Sequence, residues 1–235
     1  MTETQENYSK VDFSNHLAAV SSYRETNNVK GGGLKIIYKK AHMNIEKLPT
    51  EDRNILHAEL KCGNMEMCII LVYLSCTDFQ RNVKIKKEIN DIANKAQHKH
   101  VIILGDFNGH VGFLGPQTLN RSGELVLEMT EELDYTILNG TPQCVGEITR
   151  SQNNFESAIY LALVNGKLLN NYTHMTIDED KNIFDLSDHN LIKVFFLINN
   201  PALCKQQTPT DLAQGWTANL LNLPYVKRYT CNFLL

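Results

Sequence analysis

Val101-Ile102-Ile103-Leu104-Gly105-Asp106-Phe107-Asn108-Gly109-His110-Val111-Gly112 is the stretch around which the rest of the chain is arranged. Four apolar β-formers running into glycine read as a buried strand that stops abruptly, with Asp106 and Asn108 displayed at its carboxyl end. Sheets of α/β proteins keep their chemistry at that edge. An acid and an amide two residues apart on an extended segment point the same way, which suits the pair to address one metal-bound phosphate. The competing reading is a strand followed by an Asx-Gly turn, and this stretch alone does not choose between them.

The chain has 235 residues, 43% of them hydrophobic and 21% charged, enough for one sizeable domain, and we expect one domain followed by a tail. No run approaches the ~18 apolar residues of a membrane span. The polar start, Met1 to Asn7, lacks the basic and apolar regions of a signal peptide, so the expectation is a soluble, intracellular protein with no membrane partner. Six cysteines (Cys62, Cys68, Cys76, Cys144, Cys204 and Cys231) are scattered, without a C-x-x-C pair or zinc-like His spacing, and read as free thiols. With a net charge of −3 there is no global field to attract nucleic acid, so a phosphate partner has to be recognised locally, through a metal or a small basic patch.

Outward from the opening stretch, Leu17 to Val20 suggests a strand or a buried turn, and Gly31-Gly32-Gly33 precedes a strand at Leu34 to Tyr38. No Gly-Lys-Ser/Thr follows the glycines, so they read as a turn rather than a phosphate loop. Ile55 to Leu60 and Met67 to Tyr73 are two strands, the second apolar throughout and therefore central. Ile85, Ile89, Ile92 and Ala96 recur at helical spacing within Thr77 to Lys95, with Arg81, Lys84, Lys87 and Lys95 as a solvated face. Asn120 to Gly123 reads as a turn before a helix carrying Leu125, Met129 and Leu133. Further strands are expected at 135–139, at 146–150 and at 157–164, with a final one at 191–197. Strands that come mostly in antiparallel-style pairs favour two packed sheets with outer helices over a doubly wound parallel sheet.

Ser187-Asp188-His189, in the turn before the last strand, is the second concentration of chemistry. Together with Asp106 and Asn108 it supplies oxygen ligands for a hard cation, a base for water and a donor to phosphate, the parts of a hydrolytic magnesium site. The ordered set Gly105-Asp106-Phe107-Asn108, Asn120-Arg121-Ser122-Gly123, Gly146-Glu147-Ile148-Thr149-Arg150 and Ser187-Asp188-His189-Asn190 resembles the endonuclease/exonuclease/phosphatase superfamily. Within it, the set is similar to the endonuclease domain of LINE-type (non-LTR) retrotransposons.

That resemblance covers roughly residues 1 to 198 and leaves 199–235 as a tail or linker remnant. It implies an α/β (α+β) fold, a four-layered sandwich of two mixed, mainly antiparallel β-sheets flanked by helices. It implies Mg²⁺ (or Mn²⁺) as cofactor and the DNA phosphate backbone as partner, with a nuclear location if the target is genomic DNA. It assigns Glu3 to the metal, Asp188 to holding the metal or supporting the site, Tyr73 to the phosphate, Asp106 to the attacking water, Asn108 to that water or a phosphate oxygen, and His189 to charge on the transition state.

Two departures stand against an active enzyme. The family begins with a strand ending in Asn before its Glu-Thr segment, and here Glu3 is two residues from Met1, so the expected fold lacks its first strand. The family also carries Asp on a late strand, bonded to the catalytic His, where this chain has Tyr160. In a Ser-His-Asp setting, loss of the orienting Asp lowers turnover by about 10⁴. Glu156 lies about 13 Å along an extended strand from position 160 and does not replace it. The expectation is an impaired DNA endonuclease domain of retrotransposon origin. The alternatives are an inactive relic or binding domain of the same fold, and a small-molecule phosphoesterase. Oligomeric state is left open.

Overall fold

The computed structural model describes residues 17–22, 33–39, 43–62, 65–182, 187–197 and 230–234. Glu3 and residues 183–186 lie outside them. In chain order the elements are β1 (Leu17–Ser22), β2 (Leu34–Lys39), β3 (Asn44–Leu48), β4 (Ile55–Cys62), β5 (Met65–Tyr73), α1 (Phe79–Lys95), β6 (His100–Asp106), α2 (Arg121–Leu133) and β7 (Tyr135–Ile137). They continue with β8 (Cys144–Val145), β9 (Arg150–Gln152), β10 (Phe155–Ser157), β11 (Tyr160–Asn165), α3 (Gly166–Leu169), β12 (Tyr172–Ile177), β13 (Ile192–Leu197) and β14 (Thr230–Leu234).

A six-stranded sheet, in the order β3-β4-β5-β6-β11-β7, carries the opening stretch at its centre. β5 and β6 run parallel, while β11 is antiparallel to β6 and to β7. A second sheet, in the order β14-β13-β12-β8, is also mixed, and β1-β2 and β9-β10 form two-stranded pieces. This is the α/β sandwich of two mixed sheets with outer helices that the sequence predicted.

The apolar runs of β5, β6 and β11 follow from burial on both faces. Ile69, Leu71, Ile102, Leu104, Ala162 and Val164 pack between the sheets against Met175, Ile177, Ile192, Val194 and Phe196. Their alternates, Ile70, Val72, Val101, Ile103, Leu161 and Leu163, pack against Ile85 and Ile89 of α1 and Val126 and Met129 of α2. A period-2 strand between two apolar layers needs hydrophobic residues at every position. Gly105 has a different reason: a Cβ there would meet the Val72 carbonyl oxygen at 1.9 Å, so only glycine lets β6 lie this close to β5.

Four expectations change in detail. Asn120 caps α2 by accepting from Gly123 N–H at 2.8 Å, so the predicted turn is the start of the helix. The strand predicted at 146–150 is displaced to β8 and β9, with Gly146 between them at φ +90°. The run 157–164 breaks after Ser157, because β10 pairs with β9 while Ile159 and Tyr160 direct their N–H groups to the Thr149 hydroxyl. The extended geometry used to place Glu156 relative to position 160 therefore does not apply. Finally, Thr230–Leu234, read as part of a tail, pairs antiparallel with β13 as an edge strand.

Of the basic face on α1, Lys84, Lys87 and Lys95 are exposed, but Arg81 reaches Asp52 through Nε at 2.8 Å and Nη2 at 2.7 Å. Burial alone would raise the Asp52 carboxyl, but the Arg81 bonds and the Asn54 N–H outweigh it and hold it below its ordinary 3.8. A depressed folded value means the stabilisation is fully present above about 3.8 and is lost as pH falls through the folded value. Asp52→Asn should accordingly lower the urea midpoint by a constant amount at neutral pH, with the gap to wild type closing only below that point. Gly105→Ala should cost about 3–5 kcal/mol in the same assay, whereas Gly166→Ala, whose Cβ meets nothing within 4 Å, should be near neutral.

Candidate active site

At the carboxyl end of β6 each residue of the Gly-Asp-Phe-Asn motif has its own task. Gly105 admits the neighbouring backbone, and Phe107, fully buried, plugs the helix side of the sheet while its N–H donates to Ile159 O at 2.9 Å. Asp106, 5% exposed, accepts at Oδ1 from Asn108 N–H at 2.9 Å. Asn108 sits in the left-handed region, φ +44°, which asparagine tolerates better than most residues. Its Nδ2 donates to Leu74 O at 2.8 Å. The expectation that Asp106 and Asn108 share one extended run is thereby corrected: the strand ends at Asp106 and an Asx turn follows. Asn120 fastens that turn to α2, donating from Nδ2 to Asn108 O at 3.1 Å and accepting from His110 N–H at 3.0 Å.

Register brings the remaining groups to the same rim. Tyr73, at the end of β5, pairs with Asp106 on one side, and Tyr160, at the start of β11, pairs with Asp106 on the other. Directly paired residues share a face of the sheet, here the face toward the second sheet. Tyr160 is 4% exposed, and its ring stands edge-on to His189 at 4.8 Å between centroids and 86° between planes. The phenol that replaces the expected carboxylate thus touches the imidazole as an aromatic neighbour. Glu156, by contrast, is exposed on β10.

His189 is held by backbone zipping between residues 187–190 and 148–151. Arg150 and His189 form an antiparallel bridge, Ser151 N–H donates to Asp188 O at 2.8 Å, and Asn190 N–H donates to Thr149 O at 2.8 Å. Asn190 Nδ2 adds a bond to Ile148 O at 2.8 Å. Thr149, fully buried, then ties this ladder to β11, its Oγ1 accepting from Ile159 N–H at 2.8 Å and Tyr160 N–H at 3.0 Å.

Asp188 is engaged at both carboxylate oxygens. Its Oδ2 accepts from Arg150 Nε at 2.8 Å and its Oδ1 lies 3.4 Å from His189 Nε2. Burial would raise its pKa, but the Arg150 bond and the charges of His189 and Arg150 prevail, and the group stays below its ordinary value. Among the described residues no three His, Cys, Asp or Glu side chains converge as a metal cage. Asp188 is already engaged by the Arg150 guanidinium at one oxygen and by the His189 imidazole at the other, so the described residues do not fit a divalent ion at this carboxylate. Glu3, the other expected ligand, lies outside the described residues.

The structure thus joins Tyr73, Asp106, Asn108, Asp188 and His189 at one rim. It adds Thr149, Arg150 and Tyr160, for which sequence reasoning had a motif or a departure but no contact. A separate cleft of about 850 Å³ includes Phe113, Leu114, Glu147, Glu156 and Glu179 in its wall. None of the site residues lines it, and its carboxylates disfavour a phosphate.

A mixed α/β sandwich with acid, amide and imidazole at one strand-end rim has the architecture of the endonuclease/exonuclease/phosphatase fold. Residues 67–193, more than half of the chain, match the endonuclease-reverse transcriptase family, and the chain belongs to it. No curated protein matches the chain. Among solved structures it is similar to the endonuclease domain of TRAS1, a telomere-specific non-LTR retrotransposon, with a TM-score of 0.62, 18% identity, and coverage of 74% of this chain and 75% of that one. The 3′ phosphatase NExo from Neisseria, bound to product DNA hairpin, gives a TM-score of 0.56 at 12% identity, covering 77% and 79%. An endonuclease/exonuclease/phosphatase family protein from Bacteroides thetaiotaomicron gives 0.53 at 13%, covering 76% and 74%.

Thr149→Val keeps the shape of the side chain but removes the acceptor for two buried N–H groups, at a cost of roughly 2–4 kcal/mol. Thr149→Ser, which retains the hydroxyl, should lose less than half of that, measured by chemical denaturation.

Proposed function

We propose that this domain is a phosphodiester-hydrolysing DNA endonuclease of the retrotransposon type whose hydrolytic step is weakened at Tyr160. The observation that carries the reading is the rim itself, where Tyr160 pairs with Asp106 and touches His189, so that one residue neighbours both the carboxylate and the imidazole. A carboxylate at that position orients or deprotonates a water, and an imidazole opposite it stabilises charge on the phosphorane-like transition state. Asn108 contributes through the turn that fixes Asp106, and Tyr73 contributes a phenol toward phosphate. Mg²⁺ or Mn²⁺, with Glu3 as a ligand, belongs to the proposal as the assay's metal.

Tyr160 itself favours a second reading, in which the rim binds DNA without cutting it. A phenol at an aromatic edge contact fixes the imidazole ring by packing but does not stabilise its charged form as a carboxylate does.

A supercoiled-plasmid nicking assay with Mg²⁺ separates the two. Under the leading reading wild type nicks slowly, and Asp106→Ala and His189→Ala each lower the rate by about a hundredfold or more. Equal nicking by all three, or none by any, removes the catalytic claim. DNA affinity with a steep salt slope but no nicking would establish the second reading.

A further inference from the structure

The ion pair at the start of β9 departs from the pattern that the resemblance implies. Arg150 donates from Nε to Asp188 Oδ2 at 2.8 Å and from Nη2 to Gln152 Oε1 at 3.0 Å, which fixes its guanidinium on two sides. The other oxygen of Asp188 faces His189 Nε2 at 3.4 Å. This pair is built into the fold. The Arg150–His189 bridge and the bonds Ser151 N–H to Asp188 O and Asn190 N–H to Thr149 O hold the two segments in register around it. Both side chains are about 70% covered, at 32% and 28% exposure, which reduces the screening that weakens surface pairs.

A hard divalent cation binds through several oxygens and has to approach the carboxylate closely. At Asp188 that approach meets a guanidinium that already satisfies one oxygen, with the imidazole at the other. Displacing the guanidinium breaks two hydrogen bonds, and leaving it in place sets two cations against each other.

We propose that Arg150 is the resident cation of Asp188, standing where the resemblance places a divalent ion, so that Asp188 does not ligate Mg²⁺ or Mn²⁺ in this chain. Asp188 is then a positioning residue: its backbone and carboxylate, anchored by Arg150, orient His189. The inference rests on the nuclease reading for what His189 does, but its test needs no turnover.

The test is a titration of the full chain with Mn²⁺, with free ion followed by electron paramagnetic resonance, for wild type, Asp188→Asn, Arg150→Met and the double variant. Asp188→Asn should bind Mn²⁺ as wild type does. Arg150→Met leaves a partly buried carboxylate uncompensated, so Mn²⁺ should bind about tenfold more tightly, with the gain abolished in the double variant. Arg150→Lys, which keeps the charge, should match wild type. Weakened binding in Asp188→Asn alone, or no gain in a folded Arg150→Met, overturns the proposal. If Arg150→Met does not fold by circular dichroism, the comparison of Asp188→Asn with wild type decides: unchanged affinity supports the proposal and a severalfold loss rejects it. Because no cleavage is measured, a nuclease that fails to nick leaves this result intact.

Discussion

The hydroxyl of Thr149 is the constraint on which the site depends. It accepts the N–H groups of Ile159 and Tyr160, and the carbonyl of the same residue accepts Asn190 N–H. One buried residue therefore joins the start of β11, in the six-stranded sheet, to the loop that leads into β13, in the other sheet. The cost of a buried unpaired N–H makes this geometry hard to relax, because Thr149 is fully buried. Tyr160, Asp106 and His189 keep their relation to one another through that clasp.

Around it, charge is arranged to hold rather than to leave open. Arg150 neutralises Asp188, and Asp188 faces His189. Asp188, beside the histidine in sequence, brings a carboxylate oxygen to 3.4 Å from His189 Nε2, while the Tyr160 ring of β11 meets the imidazole edge-on. An apolar edge contact restrains ring orientation at small electrostatic benefit, whereas an adjacent carboxylate restrains it with charge. The two effects act on the same imidazole from different sides.

Several parts of this arrangement were legible in the residues alone. The continuous apolar runs of Met67 to Val72 and Val101 to Leu104 announce strands covered on both faces, and Ile85, Ile89 and Ala96 announce α1, because side-chain periodicity reflects which faces are buried. The break between β10 and β11 was not legible, since Ser157-Ala158-Ile159-Tyr160 has a good strand pattern and only the distant Thr149 hydroxyl diverts its backbone. The cap at Asn120 was present in sequence as a strong N-cap type. Its second bond, to His110, comes from a loop that packs there because Gly123 lacks a Cβ that would meet His110 O at 1.9 Å.

By itself the sequence determined the kind of fold and the chemical identity of the rim: a buried strand ending in Gly-Asp-Phe-Asn, and an Asp-His pair before the last strand. These are local facts of residue type and spacing. Only tertiary structure decided what those groups contact. Asp188 and Arg150 are 38 residues apart, and Tyr160 on β11 meets His189 on the loop before β13. Ion pairs and ring contacts between distant segments depend on sheet register and on the loops that close over it, and neither is encoded in the spacing of residues along one strand.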